Sequence, residues 1–117
     1  MAEKTLVCRA EDVKSGSPKI VKIRTLSVGL FRLGDEIHAL LNVCPHKGAP
    51  LCEGPQCGTT ATVDHAEFIY VRDNEIVRCA WHGWEFDIRS GSHLVDPAVS
   101  ARTFPVSVES GNVYVTA

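Results

Sequence analysis

Two short segments, each with one cysteine and one histidine, constrain this chain more than any other feature. The first reads Cys44-Pro45-His46 and the second reads Cys79-Ala80-Trp81-His82. A tight loop in each segment can point a soft thiolate ligand and an imidazole ligand at one metal centre. Glycines at positions 48 and 83 let the backbone turn closely beside each pair. The pattern predicts a fold that brings two loops, separated by residues 47–78, to a common point.

Length and composition are those of one soluble domain, predicted to span residues 1–117. The net charge of −2 provides no electrostatic basis for nucleic acid or an anionic membrane as partner. Charged residues from Glu3 to Asp12 interrupt any apolar signal-peptide stretch, so we expect a cytoplasmic protein. Five cysteines, an odd number, favour thiols or metal ligands over a secreted disulfide scaffold.

Short β-type runs separated by turn residues predict an all-β domain with little helix. An Asp73-Asn74 pair predicts a hairpin tip between two of these runs, and Gly111-Asn112 predicts a second turn near the C-terminus. The predicted strands are Thr5–Arg9, Ile20–Leu26, Val28–Leu33, Glu36–Val43, Phe68–Val71, Glu75–Cys79, Glu85–Ile88, and a C-terminal hairpin from Phe104 to Val115.

The wider motifs CPHKGAPLCEG and CAWHGWEFDIRSG resemble the two cluster loops of Rieske-type ferredoxins and of Rieske oxygenase N-terminal domains. This resemblance implies one [2Fe–2S] cluster, held by two cysteines on one iron and two histidines on the other: Cys44, Cys79, His46 and His82. It also implies the Rieske fold, an antiparallel β sandwich or incomplete barrel with an inserted cluster-binding subdomain at about 43–90.

The resemblance further implies which residues surround the cluster. Trp81 and Trp84 are expected to pack over the site, and Phe86 to lie beside the Cys79 sulfur. Residues 96–98 and 102–106 resemble the proline-containing segment that covers the cluster in this family. The full set of expected neighbours is Lys47, Gly48, Trp81, Gly83, Trp84, Phe86 and Pro97. One departure from the family is the large number of residues between the two loops, which predicts an extended insertion at about 55–72.

High-potential Rieske proteins carry an extra cysteine in each loop and hydroxyl groups that donate to the cluster sulfurs. The corresponding positions here are Ala49 and Trp81 for the cysteines, and Trp84 and Phe86 for the hydroxyls. Because hydrogen bonds to sulfur stabilise the reduced cluster, their loss lowers the potential. We therefore expect a potential near the low end of the Rieske range.

The resemblance implies an electron-transfer protein rather than an enzyme. As a ferredoxin, it would pass electrons from a flavin-containing NAD(P)H reductase to a terminal oxygenase or similar acceptor. One alternative is a small subunit of a multi-component reductase such as assimilatory nitrite reductase. Another is a structural zinc module, since tetrahedral zinc takes the same Cys2His2 ligands.

The remaining histidines and cysteines are expected to play no part in ligation. His38 lies on the polar face of a strand, and His65 and His93 lie in polar loop sequence, so all three are predicted at the surface. Cys8 is expected to be a small buried apolar group. Cys52 and Cys57 lie close enough in sequence to form a disulfide, although reduced thiols are favoured.

Overall fold

A computed structural model describes residues 3–45, 48, 50–54, 56–63, 67–79, 84–96 and 98–117, with the backbone alone for 59–63 and 67–74. The described residues form antiparallel strands and two 3-10 turns, Ala10–Asp12 and Leu51–Glu53, so the all-β prediction is confirmed. No helix in this part of the chain is long and apolar enough to span a membrane. The strands are β1 (Lys4–Arg9), β2 (Lys19–Ile23), β3 (Leu26–Leu33), β4 (Glu36–Leu41), β5 (Gln56–Val63), β6 (Glu67–Arg78), β7 (Glu85–Asp87), β8 (Thr103–Phe104), β9 (Val106–Glu109) and β10 (Asn112–Thr116).

The middle layer is a four-stranded sheet with the order β2-β3-β4-β8. Strand β3 shows why this sheet lies at the centre. Val28 and Leu30 pack into one apolar core, while the alternate residues Phe31 and Leu33 pack into another. Because side chains alternate between the faces of a strand, the near-continuous apolar run of β3 places a core on each side of the sheet.

The first core lies between the middle sheet and the three-stranded sheet β1-β10-β9. Val113 and Val115 of β10 are fully buried there. The outer sheet also brings the ends of the described chain together. The Glu3 N–H donates to the Ala117 carbonyl at 3.0 Å, and the Ala117 N–H donates to the Glu3 carbonyl at 3.1 Å.

The second core lies between the middle sheet and the sheet β5-β6-β7. It contains Phe31 and Leu40 from the middle sheet, Val77 and Phe86 from β6 and β7, and both predicted cysteine ligands. At the periphery, Arg89 bridges two carboxylates by donating to Glu36 at 3.2 Å and to Glu75 at 3.1 Å. The cysteines are therefore built into the core that joins these two sheets.

Most of the predicted insertion lies in β5 and β6, which pair with each other in antiparallel fashion. The predicted tip at Asp73–Asn74 is wrong, because β6 runs without a break from Glu67 to Arg78. Cys57 pairs with Ile76 and Thr59 pairs with Val71, so residues 72–75 lie opposite Gly58 alone. The Asp-Asn pair therefore occupies a bulge inside a strand, where extra residues are accommodated without a chain reversal.

Two other boundaries differ from the predictions. Strand β4 ends at Leu41 rather than Val43, and Val43 is 42% exposed beyond the strand end. In the C-terminal hairpin the turn falls at Ser110 and Gly111, one residue earlier than predicted. Both turn residues have positive φ, 52° and 77°, as the two-residue turn that matches strand twist requires.

Candidate metal centre

The two predicted cysteine ligands meet in one buried cluster. Cys79 directly follows β6, and Cys44 follows β4 after a bend at residues 42 and 43. Each cysteine is 1% exposed, and both pack among the apolar side chains of the second core. Two segments that are remote in sequence therefore place their thiols in the same apolar core. The predicted ligands His46 and His82 lie outside the described residues.

One backbone hydrogen bond closes each cysteine loop. The Gly48 N–H donates to the Cys44 carbonyl at 2.7 Å, and the Cys79 N–H donates to the Trp84 carbonyl at 2.8 Å. Gly48 has a φ of +73°, although a Cβ at this position would meet nothing within 4 Å. The first turn therefore needs glycine for its left-handed backbone and not for space.

Two of the expected aromatic neighbours are described. Phe86 is fully buried in the same cluster as Cys44 and Cys79, and Trp84 packs against that cluster while remaining half-buried. Both follow from the alternation of β7, which begins directly after the second loop. The other expected neighbours lie outside the described residues: Lys47, Trp81, Gly83 and Pro97.

His93 is not a surface residue, so its predicted location is wrong. It is 8% exposed, and its ring centroid lies 4.4 Å from that of Trp84 and 5.2 Å from that of Phe86. The polar neighbours of His93 in sequence concealed this burial. The burial follows instead from the strand pairing: His93 forms an antiparallel bridge with Phe86, and the side chains of cross-strand partners lie next to each other.

His38 behaves as predicted, at the polar edge of β4. It is half-buried on the face of β4 that also carries Leu40, and its Nε2 lies 2.9 Å from Glu36 Oε1. Hydrogen bonds from His38 and then from Arg89 lower the pKa of Glu36 below its usual value. This histidine therefore belongs to an exposed ion-pair network. His65 lies outside the described residues.

The other three cysteines are thiols with different surroundings. Cys52 is buried, and desolvation raises its pKa to about 12. Its Sγ lies 3.5 Å from the Leu40 carbonyl oxygen. Cys8 is half-buried rather than buried, and partial desolvation raises its pKa. Cys57 is half-buried. A buried thiol with so high a pKa stays protonated and unreactive near neutral pH.

The surroundings of Cys44 and Cys79 suit a cationic centre. Ionised thiolates are strongly disfavoured in an apolar core unless a positive charge offsets their desolvation. Iron supplies that charge, and thiolate is among its preferred ligands in iron–sulfur clusters. No group of three metal-binding side chains forms within the described part of the chain. The residues that are described thus fit the cysteine half of such a centre.

Comparisons with known proteins agree with this chemistry. The family model described as "Rieske [2Fe-2S] domain" matches residues 3–107. The chain is 32% identical over 111 residues to the 3-phenylpropionate/cinnamic acid dioxygenase ferredoxin subunit of Photorhabdus laumondii, covering 94% of this chain and 90% of that protein. It is also 34% identical over 112 residues to human apoptosis-inducing factor 3, covering 95% of this chain and only 16% of that protein.

Solved structures show the same architecture. A ferredoxin of Sphingomonas yanoikuyae B1 superposes with a TM-score of 0.75 at 26% identity, covering 98% of this chain and 99% of that chain. A chain from a complex of oxygenase and ferredoxin in carbazole 1,9a-dioxygenase gives 0.74 at 27% identity, covering 97% and 92%. The NADH-dependent nitrite reductase small subunit of Mycobacterium tuberculosis gives 0.73 at 26% identity, covering 100% and 96%.

Proposed function

Because this chain belongs to the Rieske [2Fe–2S] domain family, we propose that it is a one-electron carrier with its cluster held by four named side chains. Cys44 and Cys79 would bind one iron, and His46 and His82 the other. The observation that carries the proposal is the burial of Cys44 and Cys79, each 1% exposed, in the same apolar core. The sequence places His46 between the closed ends of the first turn and His82 between those of the second loop.

When bound, the cluster supplies reversible one-electron transfer at a potential above that of a four-cysteine ferredoxin. The protein's part is to hold the ligands and limit the access of water. The loop hydrogen bonds at Cys44 and Cys79 fix the backbone that carries each thiol. Phe86 and the neighbouring apolar side chains surround the thiols with a medium of low polarity. Little rearrangement is therefore needed when an electron arrives or leaves.

The proposed potential lies near the low end of the Rieske range, about −150 mV. Phe86 is fully buried in the cysteine cluster and has no hydroxyl to donate to sulfur. Trp84 likewise has no hydroxyl, and positions 49 and 81 hold no cysteine for a bracing disulfide. Each substitution removes a means by which relatives stabilise the reduced cluster.

The proposed partners are a flavin-containing NAD(P)H reductase as donor and a terminal oxygenase as acceptor. Two relatives that this chain matches along most of their length support this role: the ferredoxin subunit from Photorhabdus laumondii and ferredoxin CarAc from Metapseudomonas resinovorans, 28% identical over 111 residues. A second candidate role is that of a nitrite reductase small subunit, which the structural match to the Mycobacterium tuberculosis protein favours. Both Cys/His pairs are present in this chain. Because an electron carrier needs all four ligands to hold its cluster, their presence favours the carrier role.

Purification and spectroscopy under anaerobic conditions test the function. We expect a red-brown protein with two irons per chain and a reduced EPR signal typical of mixed cysteine and histidine ligation. A flavin reductase with NADH should reduce it, and a Rieske oxygenase should reoxidise it in turnover. Colourless protein that binds only zinc would contradict the proposal. Reoxidation by a nitrite reductase large subunit but by no oxygenase would favour the second role.

A further inference from the structure

We propose that His93 is a positioning residue for electron transfer, which ties the Asp96 backbone to the aromatic side chains beside the second cysteine loop. This inference rests on the proposed function, because the potential of the cluster is one of the quantities that His93 would affect. His93 is 8% exposed and lies in neither Cys/His segment. Its ring contacts, its hydrogen bond and the loop that it begins support this role.

The ring of His93 supports the two aromatic residues that follow the second cysteine loop. It lies 4.4 Å from the Trp84 ring at an interplanar angle of 49°, and 5.2 Å from the Phe86 ring at 66°. The Trp84 carbonyl accepts the hydrogen bond from Cys79 N–H, and Phe86 packs in the cluster that contains Cys79. His93 therefore contacts both aromatic residues, Trp84 and Phe86, that follow the second cysteine loop.

The same ring also holds the loop that follows it. The Asp96 N–H donates to His93 Nδ1 at 2.9 Å, so Nδ1 is the unprotonated nitrogen of this imidazole. The His93 N–H donates to the Val99 carbonyl at 3.0 Å, and the Val99 N–H donates to the Asp96 carbonyl at 2.9 Å. Backbone hydrogen bonds thus join Val99 to both His93 and Asp96, and the His93 side chain adds a further bond to Asp96.

Two functional consequences follow from this arrangement. Without the acceptor at Nδ1, the Asp96 amide loses its partner and the exposed residues 95 and 96 become more mobile, while the Leu94 N–H still donates to the Glu85 carbonyl at 3.0 Å. Water would then reach the neighbourhood of the cluster more readily. Because the reduced cluster carries the greater negative charge, better solvation favours reduction and raises the potential. His93 would therefore keep the potential low by keeping the loop closed.

Two variants separate the hydrogen bond from the ring. His93→Phe retains an aromatic ring and removes the acceptor, whereas His93→Asn removes the ring and retains an acceptor oxygen near the position of Nδ1. Amide exchange of the peptide covering 94–96, followed by mass spectrometry, should be about fivefold faster in His93→Phe and close to the parent protein in His93→Asn. Protein-film voltammetry should show a higher potential for His93→Phe, with His93→Asn nearer to the parent.

His38→Phe is the matched control, because it makes the same substitution at a histidine that pairs with Glu36 rather than with Asp96. This substitution should change neither the amide hydrogen exchange of residues 94–96 nor the reduction potential of the cluster. The proposal is overturned if His93→Phe and His93→Asn behave alike, including a shared failure to fold, or if His93→Phe changes neither measurement. A parent protein without a [2Fe–2S] cluster would overturn the proposed function, while the exchange measurement would still report on His93.

Discussion

At the scale of single residues, the proposed ligands should be indispensable and the remaining histidines should not. Each iron depends on two protein ligands, so removal of one imidazole leaves an iron open to water. We expect His82→Ala to contain little iron after reconstitution. His65→Ala, a histidine in the insertion, should keep both its iron content and its reduced EPR signal. A normal iron content in His82→Ala would contradict the ligand assignment.

Phe86 offers a test of the packing around Cys79, since it is fully buried in the cysteine cluster. Phe86→Tyr adds one hydroxyl at nearly constant volume. A hydrogen bond to a charged acceptor is worth roughly 1.5–3 kcal/mol, and a difference of about 1 kcal/mol between redox states raises the potential by about 40 mV. Voltammetry measures this shift directly.

The matched control for Phe86 is Phe104→Tyr, because Phe104 packs in the core on the other side of the middle sheet. It adds the same hydroxyl far from the cysteines and should leave the potential unchanged. If Phe86→Tyr keeps its cluster and its potential stays constant or falls, the Phe86 ring edge does not face the sulfur.

The burial of the Cys52 thiol predicts that the folded protein loses stability in alkaline solution. Its pKa is raised from 9.0 to about 12 by desolvation, so above pH 9 the unfolded chain releases the thiol proton while the folded chain retains it. Deprotonation then favours unfolding, by about 1 kcal/mol per pH unit between these two values. Denaturant unfolding from pH 8 to 11 should show this slope, and Cys52→Ala should show a shallower one. Equal slopes would argue against burial as the cause.

Phe86 and His93 differ in how far their surroundings could be predicted from the sequence. The position of Phe86 beside the cysteines follows from a motif and from strand alternation, both of which are local. The burial of His93 depends on its bridge to Phe86 seven residues earlier and on the closure of a loop by Val99. Polar residues around His93 predicted exposure, because composition reports the average of a segment and not the surroundings of one side chain.

At the scale of elements, β3 and the turn at Leu51–Glu53 are packed without spare room. A Cβ at Gly29 would overlap the Cys52 Cβ and lie 2.5 Å from its Sγ. Gly29→Ala should therefore lower the free energy of unfolding by about 1–3 kcal/mol, as overpacking does in other cores. The double variant Gly29→Ala, Cys52→Gly should recover part of that loss. Additive losses in the double variant would show that the two residues do not clash.

The strands themselves were largely predictable, because β-branched and apolar residues alternate in short runs between turns. The continuation of the strand through Asp73–Asn74 was not predictable. The pair is typical of a chain reversal, yet the strand continues through it. The choice was decided by the pairing of Thr59–Val63 with Glu67–Val71, a contact between segments that local sequence does not specify.

At the scale of the whole molecule, the outer part of the β5–β6 hairpin should be dispensable for cluster binding. Strand β7 pairs with β6 only over residues 76–78, next to Cys79. Replacing residues 59–71 by Asn-Gly leaves that pairing and the buried Ile76 and Val77 in place. We expect an unchanged iron content and EPR signal, with any loss confined to the rate of electron transfer to a partner. Loss of the cluster would show that the outer hairpin supports the cysteine loops.

The paired hydrogen bonds between Glu3 and Ala117 have a consequence for how such a fold can be used. The described chain enters and leaves at one point, in the sheet separated from the cysteines by the middle layer. A fold with this plan can be spliced into a larger polypeptide as a cassette, with both junctions in the sheet that the middle layer separates from Cys44 and Cys79. It can also be circularly permuted by linking these ends and opening the exposed turn at Gly34 and Asp35. Architecture of this kind lets one redox module serve in chains of very different length.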